Sequence, residues 1–379
     1  MSSAHRDAIA RLKATVAHAV AAGLKRHGVT AFFGQSIPTS VILAATEMGI
    51  RQVGYRTENA GGAMADGYAR IARRIGVVMA QNGPAATLLV PPLAEALKAS
   101  VPVLALVQEV DRRSANRNAF QELDHLALFA GVAKWVRKVE HAGWIDADLD
   151  MAIIAATSGR PGPAVLLLPF DLLHETYKPH SDRGNALGPY PLDRPVAEPT
   201  RIDEAAAALA GAERPIVIAG GGIHLADATP ELTQLIDTAG LPVATTVMGK
   251  GAVDEGHDLS LGVAAYFLGP GGMARHHRPM IDEADVVLLA GTRTNQNGTD
   301  SWTLYPRQAR FIHLDIDGQE IGRNYEAMRL VGDAKSTLTA LVARISGCAA
   351  PWRAVTSAAP AITAFNCGAL TSSILVKTI

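Results

Sequence analysis

Four short runs of almost uninterrupted apolar residues recur through the first half of the chain: Ala31–Phe33, Gly76–Ala80, Val101–Val107 and Ala164–Leu168. A strand with one face in water alternates apolar and polar residues, so a run without alternation must be covered on both faces. The segments between the runs are long enough for crossover helices, and strands alternating with helices build a parallel, doubly wound sheet. A second set, Ile216–Ala219, Pro242–Thr246, Val286–Ala290 and Phe311–Ile316, follows the same rhythm in the second half. The expected fold class is α/β, with two doubly wound, mainly parallel sheets, the second of them Rossmann-like.

The 379 residues exceed one ordinary core. Lys178 to Pro199 breaks the rhythm with Pro179, Pro189, Pro191, Pro195 and Pro199 and with Gly184 and Gly188, a density that gives a semi-extended connector. The expected organisation is therefore a first domain over 1–178, a linker over 179–199, a second domain over 200–346 and an irregular tail over 347–379. Ile9, Leu12, Val16 and Val20 recur at helical spacing and predict an amphipathic first helix that stops at His27-Gly28. Thr200 with Asp203 suggests a capped start for an alanine-rich helix, and Ala334–Ile345 reads as the last helix.

Composition removes several classes of function. The net charge is −1, with no basic stripe for nucleic acid and no acidic block. No apolar run approaches the roughly 20 residues that span a bilayer. Cys348 and Cys367 are the only cysteines, so no disulfide framework or CxxC metal site is expected. A cytoplasmic protein without nucleic-acid or membrane partners is the expectation.

Candidate chemistry begins at Arg56–Arg70, RTENAGGAMADGYAR, where Glu58 sits between an extended run and a small-residue helix. Each glycine costs a helix roughly 1 kcal/mol against alanine, so Gly61 and Gly62 in one turn imply a close approach to the backbone. A carboxylate at a strand end is where an open α/β sheet presents chemistry, although an acid near a helix N-terminus is also favoured by the dipole alone. Gly220-Gly221-Gly222 follows a strand and is either a phosphate-cradling turn or a plain tight turn. Arg293, in Gly291-Thr292-Arg293, could pair with a phosphate or lie on the surface. The polar loop Asn295–Thr299 is either solvated filler or a cofactor contact. Asn82-Gly83-Pro84 marks a turn and helix start. His276-His277 lacks a third ligand at metal spacing. Asp315 and Asp317 are better read as ending a buried strand than as a metal pair, and Asp333 matches a metal-diphosphate signature only superficially.

Taken in order, these segments resemble the thiamine-diphosphate-dependent enzymes, and among them the acetolactate synthase-like group. The carrying motifs are RTENAGGAMADGYAR, NGPAAT (Asn82–Thr87), ASVPV around Ser100–Pro102, AFQELD (Ala119–Asp124), AKW (Ala133–Trp135) and RPGPAVLLLP (Arg160–Pro169). In the second half RPIVIAGGGI, PVATTVMGKGAVDEGH and FIHLDID also fit. The resemblance implies a pyrimidine-binding domain followed by a central domain. It makes Glu58 the acid that hydrogen-bonds N1′ of the aminopyrimidine, favouring the imino tautomer whose 4′-nitrogen takes the thiazolium C2 proton. It places Asn82, Gly83, Gln121, Gly220, Gly221 and Arg293 at cofactors, the last against FAD in a non-redox role. It puts Phe120, Gln121 and Lys134 along the substrate channel.

The implied activity is decarboxylation or carboligation of a small 2-keto acid with thiamine diphosphate and Mg²⁺, in a homodimer or tetramer. Three departures qualify it. Gln35-Ser36-Ile37-Pro38 replaces a Pro-Gly-Gly-type loop, which bears on acetolactate as product. Val263-Ala264-Ala265 lacks a His-Gly, which bears on FAD. The family's third domain, with its Gly-Asp-Gly signature for Mg²⁺ and diphosphate, has no counterpart before Ile379. The chain is thus expected to be incomplete alone, the missing part being either a separate diphosphate-binding subunit or lost by truncation. The alternatives are a non-catalytic nucleotide or FAD module and an inactive fragment.

Overall fold

The structure, a computed structural model, describes residues 14–178, 180, 183–265 and 275–345. The chain divides into two compact units, Met1–Asp193 and Arg194–Ile379. Residues 183–198 form neither helix nor strand. Ile9, Leu12, both cysteines and the expected tail lie outside the described residues.

The first unit holds a six-stranded sheet of β1 (Ala31–Phe33), β2 (Arg51–Val53), β3 (Gly76–Ala80), β4 (Val103–Glu109), β5 (Trp135–Lys138) and β6 (Ala164–Pro169), in the order β2-β1-β3-β4-β6-β5. Every pairing is parallel. The unbroken apolar runs have a simple cause. Along β3, Val77 and Met79 enter a core with helices Val16–Arg26, Thr39–Glu47 and Ile145–Thr157, while Val78 and Ala80 enter another with helices Glu58–Ala72 and Val90–Ala99. Strands β4 and β6 divide their side chains the same way. Each fully buried Val, Leu or Met contributes about 1.5–3 kcal/mol, so both faces of the sheet hold the unit together.

The second unit repeats this plan with β7 (Pro215–Ala219), β8 (Val243–Thr245), β9 (Ser260–Val263), β10 (Val286–Ala290), β11 (Arg310–Asp315) and β12 (Ala327–Val331), in the order β12-β11-β10-β7-β8-β9. This is the Rossmann arrangement, in which the chain reverses its direction of travel between β7 and β10. Val217 and Ala219 face one core, Ile216 and Ile218 the other. No helix among the described residues is long and apolar enough to cross a membrane.

One reading is corrected and another is made specific. The alanine-rich helix starts at Pro199 with Glu198 as N-cap, and Thr200 lies inside the helix with its hydroxyl donating to Glu198 at 3.0 Å. Proline at the first helical position has the right φ and no amide to satisfy, so it sets the boundary one residue early. The glycines of helix Glu58–Ala72 serve the chain's own packing. A Cβ on Gly61 would stand 2.3 Å from the Tyr55 ring, and one on Gly62 would stand 2.5 Å from Pro92.

The tightest such approach is at Gly76, where a Cβ would fall 2.1 Å from the Ala65 carbonyl oxygen. That neighbour is helix backbone and cannot rotate away. Gly76→Ala is expected to cost the first unit at least about 3 kcal/mol, the upper range of overpacking penalties. Urea denaturation followed by circular dichroism checks this; an unchanged midpoint would contradict the helix–strand packing.

Candidate functional site

In an open parallel sheet, ligands bind beyond the carboxyl ends of the strands where strand order reverses. In the first unit that point lies between β1 and β3. Gly34-Gln35 leaves β1 here, Asn82-Gly83 lies just beyond β3, and the segment after β2 leads to Glu58 at the start of its helix. Gln35 Nε2 donates to the Tyr55 and Arg56 carbonyls at 2.8 and 3.0 Å, and Gln52 Nε2 donates to Gly34 and Gln35 at 2.9 and 2.6 Å. These amide side chains tie the β1 and β2 exits together. The Tyr55 hydroxyl donates to the Met79 carbonyl at 2.6 Å. Burial and the adjacent Glu58 charge push that phenol well above its ordinary value, so it stays a neutral donor.

Glu58 is the first residue of its helix and is half-buried, with Thr57 as an N-cap that makes no side-chain capping bond. The Thr57 hydroxyl donates instead to Asn59 at 2.6 Å. Among the described residues no ion pair or hydrogen bond engages the Glu58 carboxylate. A carboxylate held at a positive helix end can accept a hydrogen bond from a ring nitrogen or hold a proton for it.

The β3 exit gathers more of the candidate residues. Asn82 is buried, and its Nδ2 donates to the carbonyls of Phe120 and Gln121 at 2.9 and 3.1 Å. Gly83 has φ of 66°, and a Cβ there would stand 2.5 Å from Gln121 Cβ. Only glycine fits that approach. Gln121 is itself left-handed at φ 58°, and Phe120 is 77% exposed beside it. Glu122 accepts the amides of Asn116 and Ala119 at 2.6 and 3.0 Å, and those bonds hold its carboxyl below the usual range. Asn82, Gly83, Phe120 and Gln121 thus form one cluster.

Lys134 is not brought to this edge. It precedes β5, and in an all-parallel sheet that is the opposite edge. Its Nζ donates to the Ser158 carbonyl at 2.8 Å, at the end of helix Ile145–Thr157, where a cation complements the dipole. Two residues that sequence reasoning passed over join the cluster instead. His125 and Glu109 are both buried, with His125 Nδ1 2.8 Å from Glu109 and the Gly83 amide donating to His125 Nε2 at 2.9 Å. Their signal was faint: one acid closing an apolar strand and one histidine opening an apolar helix.

In the second unit the turns after β7 and β10 pack together at the reversal point. The Gly220 and Gly222 amides donate to Ala290 and Gly291 at 2.8 and 2.9 Å. A Cβ on Gly220 would stand 2.3 Å from the Gly291 oxygen, and one on Gly221 would stand 3.2 Å from Met248. Two amides of the glycine run are therefore committed to the fold, and the helix that follows, Gly222–Leu225, is one turn long. The buried Thr245 hydroxyl, at the neighbouring β8 exit, has no hydrogen-bond partner among the described residues.

Arg293 is half-buried after β10, and its charge acts on Asp315, whose carboxyl is pushed up to about 6 by burial first and then by Asp317 and Glu320. Asn295 and Thr299 bond within their own loop, Asn295 accepting the Gly298 amide at 2.7 Å. Asp333 caps the last helix by accepting the Ser336 amide at 3.0 Å, and also accepts from Arg194 at 3.2 Å. His277 Nδ1 lies 2.9 Å from the Leu261 carbonyl, and His276 is exposed. Among the described residues no group of three or more His, Cys, Asp or Glu is placed to hold a metal ion.

Two consecutive doubly wound units, the first presenting an unengaged glutamate beyond its strand ends, match known proteins unit by unit. The model of the thiamine pyrophosphate enzyme N-terminal TPP binding domain matches residues 14–128, and that of the thiamine pyrophosphate enzyme central domain matches residues 202–341. The chain belongs to the thiamine pyrophosphate enzymes. Over 344 residues it is 34% identical to a probable acetolactate synthase large subunit of Methanocaldococcus jannaschii, covering 87% of this chain and 56% of that protein. It is also 34% identical over 344 residues to acetolactate synthase of Mycobacterium bovis (89% and 54% covered). A glyoxylate carboligase of Escherichia coli O157:H7 is 32% identical over 329 residues (84% and 54%). The chain spans about half the length of these relatives.

Proposed function

We propose that the chain supplies the pyrimidine-activating half of a thiamine-diphosphate-dependent decarboxylase or carboligase acting on a small 2-keto acid. The observation that carries this is the Glu58 carboxylate, unengaged at a helix start on the ligand edge of a unit that matches a thiamine-diphosphate-binding domain. When bound, thiamine diphosphate supplies an electron sink for the carbanion left by decarboxylation. Glu58 would hold a proton against the pyrimidine N1′. Asn82 and Gly83 would shape the adjacent edge, and Phe120 and Gln121 would bound the approach of the substrate. Lys134, on the opposite edge of this sheet, would reach a substrate only at the site of another subunit.

The described residues contain no cluster suited to Mg²⁺. The metal and diphosphate would therefore be held by residues outside 14–345 or by another chain, within a homodimer, a tetramer or a complex with a separate diphosphate-binding subunit. The name "large subunit" borne by several relatives supports an assembly of unlike chains. The test is pyruvate consumption with thiamine diphosphate and Mg²⁺, measured for the chain alone and with a diphosphate-binding domain added. Activity is expected only in the mixture. A mixture in which this chain can be omitted without loss contradicts the proposal.

A second reading concerns the second unit as a non-catalytic nucleotide or FAD module. It is favoured by the unsatisfied Thr245 hydroxyl at the β8 exit, one strand from the reversal point that Gly221 and Arg293 follow. Stoichiometric flavin in the purified protein supports this reading, and a colourless, nucleotide-free protein opposes it.

A further inference from the structure

One buried pair plays no part in the function proposed above. Glu109 ends β4, one strand from the reversal point, and His125 opens the short helix His125–Phe129; they are 5% and 1% exposed. The bonding fixes the ring. Nε2 accepts the Gly83 amide at 2.9 Å and so carries no proton, which leaves Nδ1–H to donate to Glu109 Oε1 at 2.8 Å. From Gly83 the order passes to its neighbour Asn82, whose Nδ2 holds the carbonyls of Phe120 and Gln121. Gln121 sits at φ 58°, a left-handed conformation that a non-glycine residue keeps only where its surroundings over-determine it.

A buried acid–imidazole pair is a weak source of stability, because desolvation offsets the attraction between its members. Its value lies in direction: an imidazole fixed in one tautomer presents a single acceptor at one point. We propose that Glu109 and His125 are positioning residues, a buried relay that fixes the Gly83 amide and, through the Asn82-Gly83 turn, the loop carrying Phe120 and Gln121. Their purpose at a ligand edge rests on the proposed function. The bonding does not, so the test reads the full chain without ligand, and its failure is distinct from a failure to turn over 2-keto acid.

The experiment combines ¹⁵N-histidine NMR, amide hydrogen exchange and timed trypsin cleavage after Arg117 on the parent, His125→Phe and Glu109→Gln. Among the parent's histidine signals, one locked as the Nδ1–H tautomer should be missing from the His125→Phe spectrum. Leaving a buried donor unpaired costs about 1–3 kcal/mol, so exchange across Asn82-Gly83 and residues 119–122 should quicken about ten- to a hundredfold in His125→Phe. Cleavage after Arg117 should quicken with it, while β3 and β6 keep their protection. Glu109→Gln retains an oxygen that accepts Nδ1–H, so it should keep the tautomer and near-parental exchange. Equal acceleration in β3 and β6 would mean that the pair merely supports the fold and would overturn the proposal. So would unchanged exchange at the turn, or an Nε2–H tautomer. If His125→Phe does not fold, the tautomer in the parent and in Glu109→Gln decides the matter.

Discussion

Glu58→Gln is expected to lower kcat for 2-keto-acid turnover by about 10²- to 10⁴-fold in an assembly that also provides the metal–diphosphate half, the range that a positioned acid or base contributes. The substitution is nearly isosteric. Neither Glu58 oxygen is engaged in a hydrogen bond or ion pair among the described residues, so the helix start and the Tyr55 contact to Met79 have no reason to change. The loss should therefore fall on kcat, with thermal stability and substrate KM close to those of the parent. Glu58→Asp keeps the acid but withdraws it by one methylene, and a misplacement of about 1 Å costs on the order of 10²-fold. Steady-state kinetics of the parent and both variants check this. Turnover by Glu58→Gln within a few-fold of the parent would remove Glu58 from the chemistry and leave it as a helix-start acid.

How far the site was legible follows from where its parts sit. Strands β3 and β10 were readable to the residue, because each splits its side chains between two buried cores and so carries no polar interruption. Strands β5, β9 and β12 lie at or near sheet edges and are partly exposed; their mixed sequences, WVRK, SLGV and AMRLV, carry no comparable signal. The glycines of helix Glu58–Ala72 showed that something approaches the backbone, but not that it was Tyr55 and Pro92, since a close contact leaves the same mark whatever makes it. Glu58, Asn82 and Gly83 stood out as candidates because each follows a strand. His125 was not, because its role depends on a carboxylate and an amide that are distant in sequence and meet only through the strand order.

A large pH-dependent stability effect lies in the second unit, where two buried groups on β11 respond to pH in opposite directions. His313 is 1% exposed, with its Nε2 2.8 Å from the Thr292 carbonyl, and burial lowers it to about 4. The unfolded chain takes up that proton near 6.5, so the stability that His313 contributes is complete above about 6.5 and is lost as pH falls toward 4. Asp315, two residues on, is raised to about 6 by burial. The unfolded chain ionises it near 3.8, so its contribution is complete below about 3.8 and is lost as pH rises toward 6. Each window spans roughly two pK units, about 3 kcal/mol, and between pH 4 and 6 the two nearly cancel.

Asp315→Asn removes one side of that balance and keeps an oxygen for the Asp317 amide, which donates to Asp315 at 2.9 Å. Its stability relative to the parent should rise by about 3 kcal/mol from pH 4 to pH 6. His313→Gln retains an N–H for Thr292 and should show the opposite trend, losing a similar amount over the same range. Urea unfolding of the second unit at half-unit pH steps reads both slopes. Parallel curves for the parent and the two variants would show that neither group is held away from its ordinary protonation by the fold.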